Sequence, residues 1–262
     1  MAELSPMLVR GRTLQVVDFG GDGPPVLALH GHFGRARMWA AIAGELDGRH
    51  RVIALEQRAH GRSDRGPVSP DDYRDDVGAV LAELGPMPVV GHSMGGIVAF
   101  RAAARYPGLV TALVVIDSPV RNQPPEVPRP VLDVSGWPRR APTLAALRAG
   151  IEAHGIPDAG YFLESAVEHR DGWGLLFDAE DMMASQRALV GDWWPDWLAA
   201  TCPALLVHGA DSFLLPTPMA RDMAARRPGT TLRVFPGGHW VHDEHPGLVA
   251  AAIAEFLSSG TA

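Results

Sequence analysis

The residues whose types and spacing could do chemistry first come together in Val89-Val90-Gly91-His92-Ser93-Met94-Gly95-Gly96-Ile97-Val98. The apolar run reads as a buried strand, the glycine-flanked serine as a tight turn and the residues beyond it as a helix. A serine on a strained strand-to-helix turn leaves no room for bulky side chains two residues to either side. Here those positions are Gly91 and Gly95. Such a turn lifts Ser93 Oγ above the sheet at a helix N-terminus, where unpaired N–H groups and the helix dipole favour developing negative charge. The Met94 N–H is thereby aimed at an oxyanion. The chemistry is attack by a serine hydroxyl, which needs a base, an orienting acid and a second N–H donor.

Eleven histidines compete to be the base, a role that suits imidazole because its pKa lies near working pH. Lysine chemistry is excluded, since all 23 basic residues are arginine. There can be no Schiff base, lysine base or phosphate-loop lysine. The single Cys202 precedes Pro203 and an apolar run. It has no partner for a disulfide or a zinc site and reads as a small core residue. A net charge of −7 with scattered arginines offers no cationic stripe for a phosphate backbone, so no nucleic-acid partner is expected. No leader-like segment opens the chain, and no apolar run approaches the ~20 residues of a membrane span. A cytoplasmic protein without a membrane span is expected.

The elements that must position this chemistry follow from 262 residues of 47% hydrophobic content, enough for one large core with an insertion. Residues 8–19 read as two short strands around Gly11, and 20–25 as a turn cluster. Val26–His30, Arg51–Leu55, 88–91, Leu113–Asp117, Ala204–His208 and Thr231–Phe235 are apolar strands of the kind a parallel sheet buries on both faces. Helices are expected over 37–46, 70–84 and 246–257. Alternating strands and helices give an α/β fold with a doubly wound, mostly parallel sheet. Between 119 and 200 the alternation stops. That stretch is rich in Pro at first (Pro119, Pro124, Pro125, Pro128, Pro130), then helical and aromatic, and it holds five of the seven tryptophans. About 80 residues is too long for an ordinary connection. The reading is a core formed by 1–118 and 200–262 with a helical cap inserted at 119–199, some of whose tryptophans line an apolar pocket.

Four motifs appear in order: His30-Gly31, Gln57-Arg58-Ala59-His60-Gly61-Arg62-Ser63-Asp64, Gly91-His92-Ser93-Met94-Gly95-Gly96 and Gly237-Gly238-His239. In these, over residues 8–119 and 200–257, the chain resembles the α/β-hydrolase-fold superfamily of serine esterases and lipases. The resemblance implies that His239 is the base; His242 and His245, three and six residues on, are the alternatives, with His242 able to lie near the site and both expected as helix-entry or surface residues. It implies that His60 and His92 hold loops. It assigns the second oxyanion donor to the backbone N–H of His32, with Phe33 as the alternative.

The acid departs from the common pattern. Where the family usually has Asp after the strand ending at His208, this chain has Ser212, with Asp211 one residue early. Some members carry the acid instead at the end of the strand after the elbow helix, which here is Asp117. A histidine base needs an orienting carboxylate, and Asp117 is preferred over Asp211, with Ser212 as a supporting hydrogen-bond partner. The resemblance implies a serine carboxylesterase or lactonase that acts on a small, largely apolar ester or lactone through an acyl-enzyme, with no metal and no organic cofactor. A C–C bond hydrolase or a cofactor-free perhydrolase would use the same triad. A ligand-binding member without turnover is the remaining alternative.

Overall fold

The computed structural model describes residues 3–127 and 130–259; Pro128 of the proline-rich stretch lies outside the described residues. The chain begins with β1 (Glu3–Val9), β2 (Arg12–Asp18), β3 (Pro25–Leu29), α1 (Ala40–Leu46), β4 (Arg51–Glu56), α2 (Pro70–Leu84), β5 (Met87–His92), α3 (Met94–Arg105) and β6 (Val110–Ile116). There follow β7 (Arg121–Asn122), α4 (Leu144–Glu152), α5 (Gly160–Leu163), β8 (Ala166–His169), β9 (Gly172–Leu175), α6 (Ala179–Ala188), β10 (Gly191–Asp192) and α7 (Trp194–Ala199). The last part is β11 (Ala204–Gly209), α8 (Thr217–Arg226), β12 (Thr230–Phe235), α9 (Val241–Glu244) and α10 (Pro246–Ser259).

Eight strands form one sheet in the order β1-β2-β4-β3-β5-β6-β11-β12. The β1–β2 hairpin is antiparallel and joins β4 antiparallel, whereas every pair from β4 through β12 is parallel. Strand alternation sorts the side chains onto two faces. Leu27, Leu29, Val89, Leu113, Val115 and Leu206 pack with α2, α3 and α7. Val26, Ala28, Val90, Val114, Leu205 and Val207 pack with α1 and α10. After β3 the chain steps to β4 on one side, then back past β3 to β5 on the other. That reversal opens a crevice beyond the carboxyl ends of β3 and β5, where α/β sheets bind ligands.

The helix expected over 70–84 occupies those residues because its start is fully specified. Ser69 Oγ accepts from the Asp72 N–H at 3.1 Å, Pro70 opens the first turn, and Asp71 and Asp72 face the positive end of the dipole. Within 119–199 the structure is less helical than expected, since a β8–β9 hairpin lies between α5 and α6. A third apolar cluster sits there, with Phe33 and Ala59 from the sheet loops packed among Val134, Trp137, Leu147, Ile151, Phe162 and Met182. Trp194 and Trp197, by contrast, pack into the sheet cluster with α3. Among the described residues no helix is long and apolar enough to cross a membrane.

Candidate active site

Five strand ends converge on one edge of the sheet. Ser93 follows β5, Asp117 follows β6, His30 and Gly31 follow β3, Ser212 lies just past β11, and His239 lies just past β12. Ser93 sits at φ 54°, ψ −122°, a sparsely populated conformation for a side chain with a Cβ. The turn is possible because the backbone closes on itself. A Cβ on Gly91 would strike the Gly95 carbonyl, and one on Gly95 would strike those of Leu29 and His30. Ser93 hands its backbone to α3 through its carbonyl, which accepts from Gly96 N at 2.9 Å and Ile97 N at 3.2 Å. Met94 is the first residue of α3, so its N–H has no acceptor within the helix.

The structure brings Ser93, His239 and Asp117 together. His239 Nε2 lies 3.0 Å from Ser93 Oγ, and His239 Nδ1 lies 2.7 Å from Asp117 Oδ2. A carboxylate only accepts, so Nδ1 carries the proton and Nε2 is left as the acceptor facing Ser93. Asp117 is wholly buried. Its Oδ1 accepts from His208 Nδ1 at 3.1 Å and Gly209 N at 3.2 Å, and its Oδ2 also accepts from Ser212 Oγ. Burial alone would raise the Asp117 pKa; hydrogen bonds from His208 and His239, the His239 charge and the Ser212 hydroxyl outweigh it and hold the carboxyl below its usual value. Asp211, the alternative acid, is exposed on the loop surface.

The His30–Gly31 loop has its own internal order. The Gln57 N–H donates to His30 Nε2 at 3.1 Å, which places the other proton on Nδ1, and this donates to the Gly31 carbonyl at 2.8 Å. Gly34 N donates to the same carbonyl at 3.2 Å. Because N–H and C=O are antiparallel across a trans peptide, the His32 N–H is turned away from the loop interior. His32, Phe33, Ser93, Met94 and His239 all line one cavity of about 940 Å³, walled further by Ile97, Leu132, Ile156, Phe162 and Leu214. The tryptophan on its wall is Trp240, and none of the five tryptophans of 119–199 lines it. Those five pack elsewhere because an indole is large enough to anchor a cluster, and Trp137 and Trp197 do so.

Three further histidines are placed more specifically than their motifs alone allow. His242, at the entry of α9, is buried beside the site, with its ring 4.1 Å from His92 and 5.6 Å from Trp39. Burial and the neighbouring His239 charge push its pKa down to about 3. His92 donates from Nε2 to the His239 carbonyl at 2.9 Å, so the loop it holds is the one that carries His239. His60 holds the loop before α2 through the Arg58 carbonyl at 2.9 Å. His208 was not singled out by sequence reasoning. The available signal was its place at the end of an apolar strand, and pairing of Val207 with Ile116 sets it beside Asp117.

Comparison with known proteins gives this arrangement a family. The chain is 29% identical over 265 residues to 2-(acetamidomethylene)succinate hydrolase of Mesorhizobium japonicum, covering 95% of this chain and 93% of that one. It is 31% identical over 268 residues to pimeloyl-(acyl-carrier protein) methyl ester esterase of Chromobacterium violaceum, covering 91% and 96%. The crystal structure of E-2-(acetamidomethylene)succinate hydrolase superposes with a TM-score of 0.85 at 26% identity, covering 98% of this chain and 100% of that one. The model of the alpha/beta hydrolase family matches residues 26–252. From the reversal point of the sheet to its last helix, this chain belongs to the alpha/beta hydrolase family.

Proposed function

We propose that this hydrolase is a serine enzyme that cleaves a carboxylic ester or lactone of a small, largely apolar substrate through an acyl-enzyme. The observation that carries the reading is the unbroken hydrogen-bond chain Ser93 Oγ, His239, Asp117 opening onto a largely apolar cavity. In this reading His239 Nε2 takes the Ser93 proton as Oγ attacks the substrate carbonyl, and Asp117 stabilises the imidazolium. The Met94 N–H and the His32 N–H, or that of Phe33, receive the oxyanion. His239 returns the proton to the leaving alcohol, and a water activated the same way releases the acid.

The charges on the cavity wall support an uncharged substrate. Asp158, Glu164, Asp243 and Glu244 stand against Arg37, an unfavourable lining for a dicarboxylate such as the succinate in one relative's name. Burial, with Glu164 and Glu244 nearby, raises the Asp243 pKa to about 6.

A fluorophosphonate probe tests the nucleophile. The expected result is an adduct on the native chain that is lost in Ser93→Ala; no adduct, or one that survives the substitution, overturns the reading and favours a binding protein. Nitrophenyl esters of increasing chain length, lactones and dicarboxylic monoesters then test the substrate class, with neutral acyl groups expected to be turned over fastest.

A further inference from the structure

The loop that carries the second oxyanion donor is held from above, by residues 161–185. Tyr161, in α5, donates its hydroxyl to the His32 carbonyl at 3.2 Å. Ser165, fully buried just past α5, donates to the next carbonyl, Phe33 O, at 2.7 Å. The His32 ring meets Ser185 Oγ of α6 at 2.9 Å. The Phe33 ring stacks edge-on against Phe162 and Phe177, with centroids at 5.7 and 5.5 Å.

These contacts matter because Phe33 lies at φ 68°, a left-handed conformation costly for a bulky side chain. Such strain has a simple outlet. Rotating the His32–Phe33 peptide plane changes only the His32 ψ and the Phe33 φ, and brings the latter to about −110°, in the relaxed extended region. The same rotation exchanges the His32 carbonyl with the Phe33 N–H. A carbonyl oxygen would then lie where the Phe33 N–H had been, so the alternative second donor would be replaced by an acceptor repelling an oxyanion, next to the His32 N–H that the rotation leaves in place.

The Tyr161 hydroxyl stands where it can prevent this. A Cβ built on Gly31 would lie 3.0 Å from Ser93 Cβ and 3.2 Å from the Tyr161 hydroxyl, so the phenol reaches to the wall of the nucleophile. It also accepts from the Trp240 indole, the residue after His239, and burial together with the Asp243 charge pushes its pKa up. It is therefore a proton donor throughout the working pH range.

We infer that Tyr161, aided by Ser165, is a positioning residue that locks the His32–Phe33 peptide in its strained orientation, so that the Phe33 N–H rather than the His32 carbonyl is presented as an oxyanion donor. This rests on the serine-hydrolase reading above. It makes formation of the oxyanion site depend on how residues 161–185 are seated, although the proposed triad comes entirely from the sheet loops.

The test compares native protein, Tyr161→Phe and Ser165→Ala on an ester the native protein cleaves, with a trifluoromethyl ketone analogue of the same acyl group as inhibitor. For Tyr161→Phe the expected result is a kcat lower by about tenfold or more, KM within about twofold, and inhibitor affinity weakened in step with kcat. The pH–rate midpoint should stay at the native value, since His239 is untouched, while the variant stays folded with a Tm lowered by the loss of the partly buried hydrogen bond to the His32 carbonyl. Ser165→Ala should lose kcat and inhibitor affinity in the same proportion, by a smaller factor. A rise in KM alone would make Tyr161 a substrate contact and overturn the lock, as would unchanged kcat and inhibitor affinity. Failure of the underlying reading shows separately, as a fluorophosphonate adduct that survives Ser93→Ala on the native background, and the lock falls with it.

Discussion

Ser212 donates its hydroxyl to Asp117 Oδ2, the same oxygen that accepts the His239 Nδ1 proton. Ser212 Oγ also accepts from the Leu214 and Leu215 N–H groups at 3.1 Å each, so its one proton is committed to the carboxylate. The loop after β11 thus supplies a group that recognises a carboxylate, and the neighbouring strand supplies the carboxylate. If this is the acid of the triad, Asp117→Asn lowers kcat by about 10³- to 10⁴-fold with folding retained, and Asp211→Asn stays within about twofold. Steady-state kinetics on one ester, with circular dichroism as the folding check, decides the matter. A collapse confined to Asp211→Asn reverses the assignment.

Because Ser212 and His239 meet at one oxygen, a carboxylate on the Ser212 loop can reach the same imidazole nitrogen. The double variant Asp117→Ser, Ser212→Asp is expected to recover at least about tenfold in kcat over Asp117→Ser alone. Equal rates for the two would show that the β11 loop cannot present an acid.

His92 ties the strand that leads into Ser93 to the loop that carries His239, since its Nε2–H is the donor to the buried His239 carbonyl. Burial, reinforced by the charges of His242 and His239, keeps its pKa well below the ordinary value, so it stays neutral. In His92→Phe that carbonyl loses its donor, at a cost of about 1–3 kcal/mol. Thermal melts should register the loss. The same variant should lower kcat more than it raises KM if the misplaced His239 is the base, as proposed.

Acid sensitivity follows from the buried histidines. His30, His60, His92 and His242 all have pKa values lowered chiefly by burial, His60 to about 4 and His242 to about 3. Below pH 6.5 the unfolded chain takes up protons that the folded chain refuses, so stability is complete above 6.5 and falls as pH drops toward the folded values. Asp243, raised to about 6, and Glu56, also raised by burial, act in the opposite sense, but they are two groups against five, His50 being lowered by burial as well, and the Asp243 side chain is 40% exposed. Denaturant midpoints measured from pH 7.5 to 4.5 should fall continuously. His60→Gln, whose amide can still donate to the Arg58 carbonyl, should flatten that slope by up to about 1.4 kcal/mol per pH unit. A slope identical to native would show that His60 does not contribute.

The sheet was readable because its signals are local. Val26–Leu29 and Val89–Val90 are unbroken apolar runs that only a two-sided burial explains, and Ser69-Pro70-Asp71-Asp72 writes the start of α2 in four letters. The meeting of Ser93 and His239 was legible from the motifs around them, and the order Gly209, Ser212, Pro216 pointed away from Asp211 to Asp117 as the carboxylate beside them. Residues 119–199 were less legible. The Asp171-Gly172 pair marks the β8–β9 turn, yet the four-residue strands flanking it carry too little alternation to outweigh their helical surroundings. Tyr161, Ser165 and Ser185 left no signal at all, because a hydroxyl whose partner, a backbone carbonyl or the His32 ring, lies more than 125 residues away in sequence has no spacing to read.

The five strand ends leave one edge of one sheet, whereas the hydroxyls that grip the His32–Phe33 peptide hang from the segment above it. Exchanging residues 119–199 for a foreign cap of matching ends would therefore produce a chimera in which Ser93, His239 and Asp117 keep their mutual hydrogen bonds while the grip on Phe33 is lost. On the functions proposed above, such grafts would inherit a nucleophile and have to acquire turnover anew, so a cap transplanted for its substrate preference should bring along its own hydroxyls at the positions of Tyr161 and Ser165.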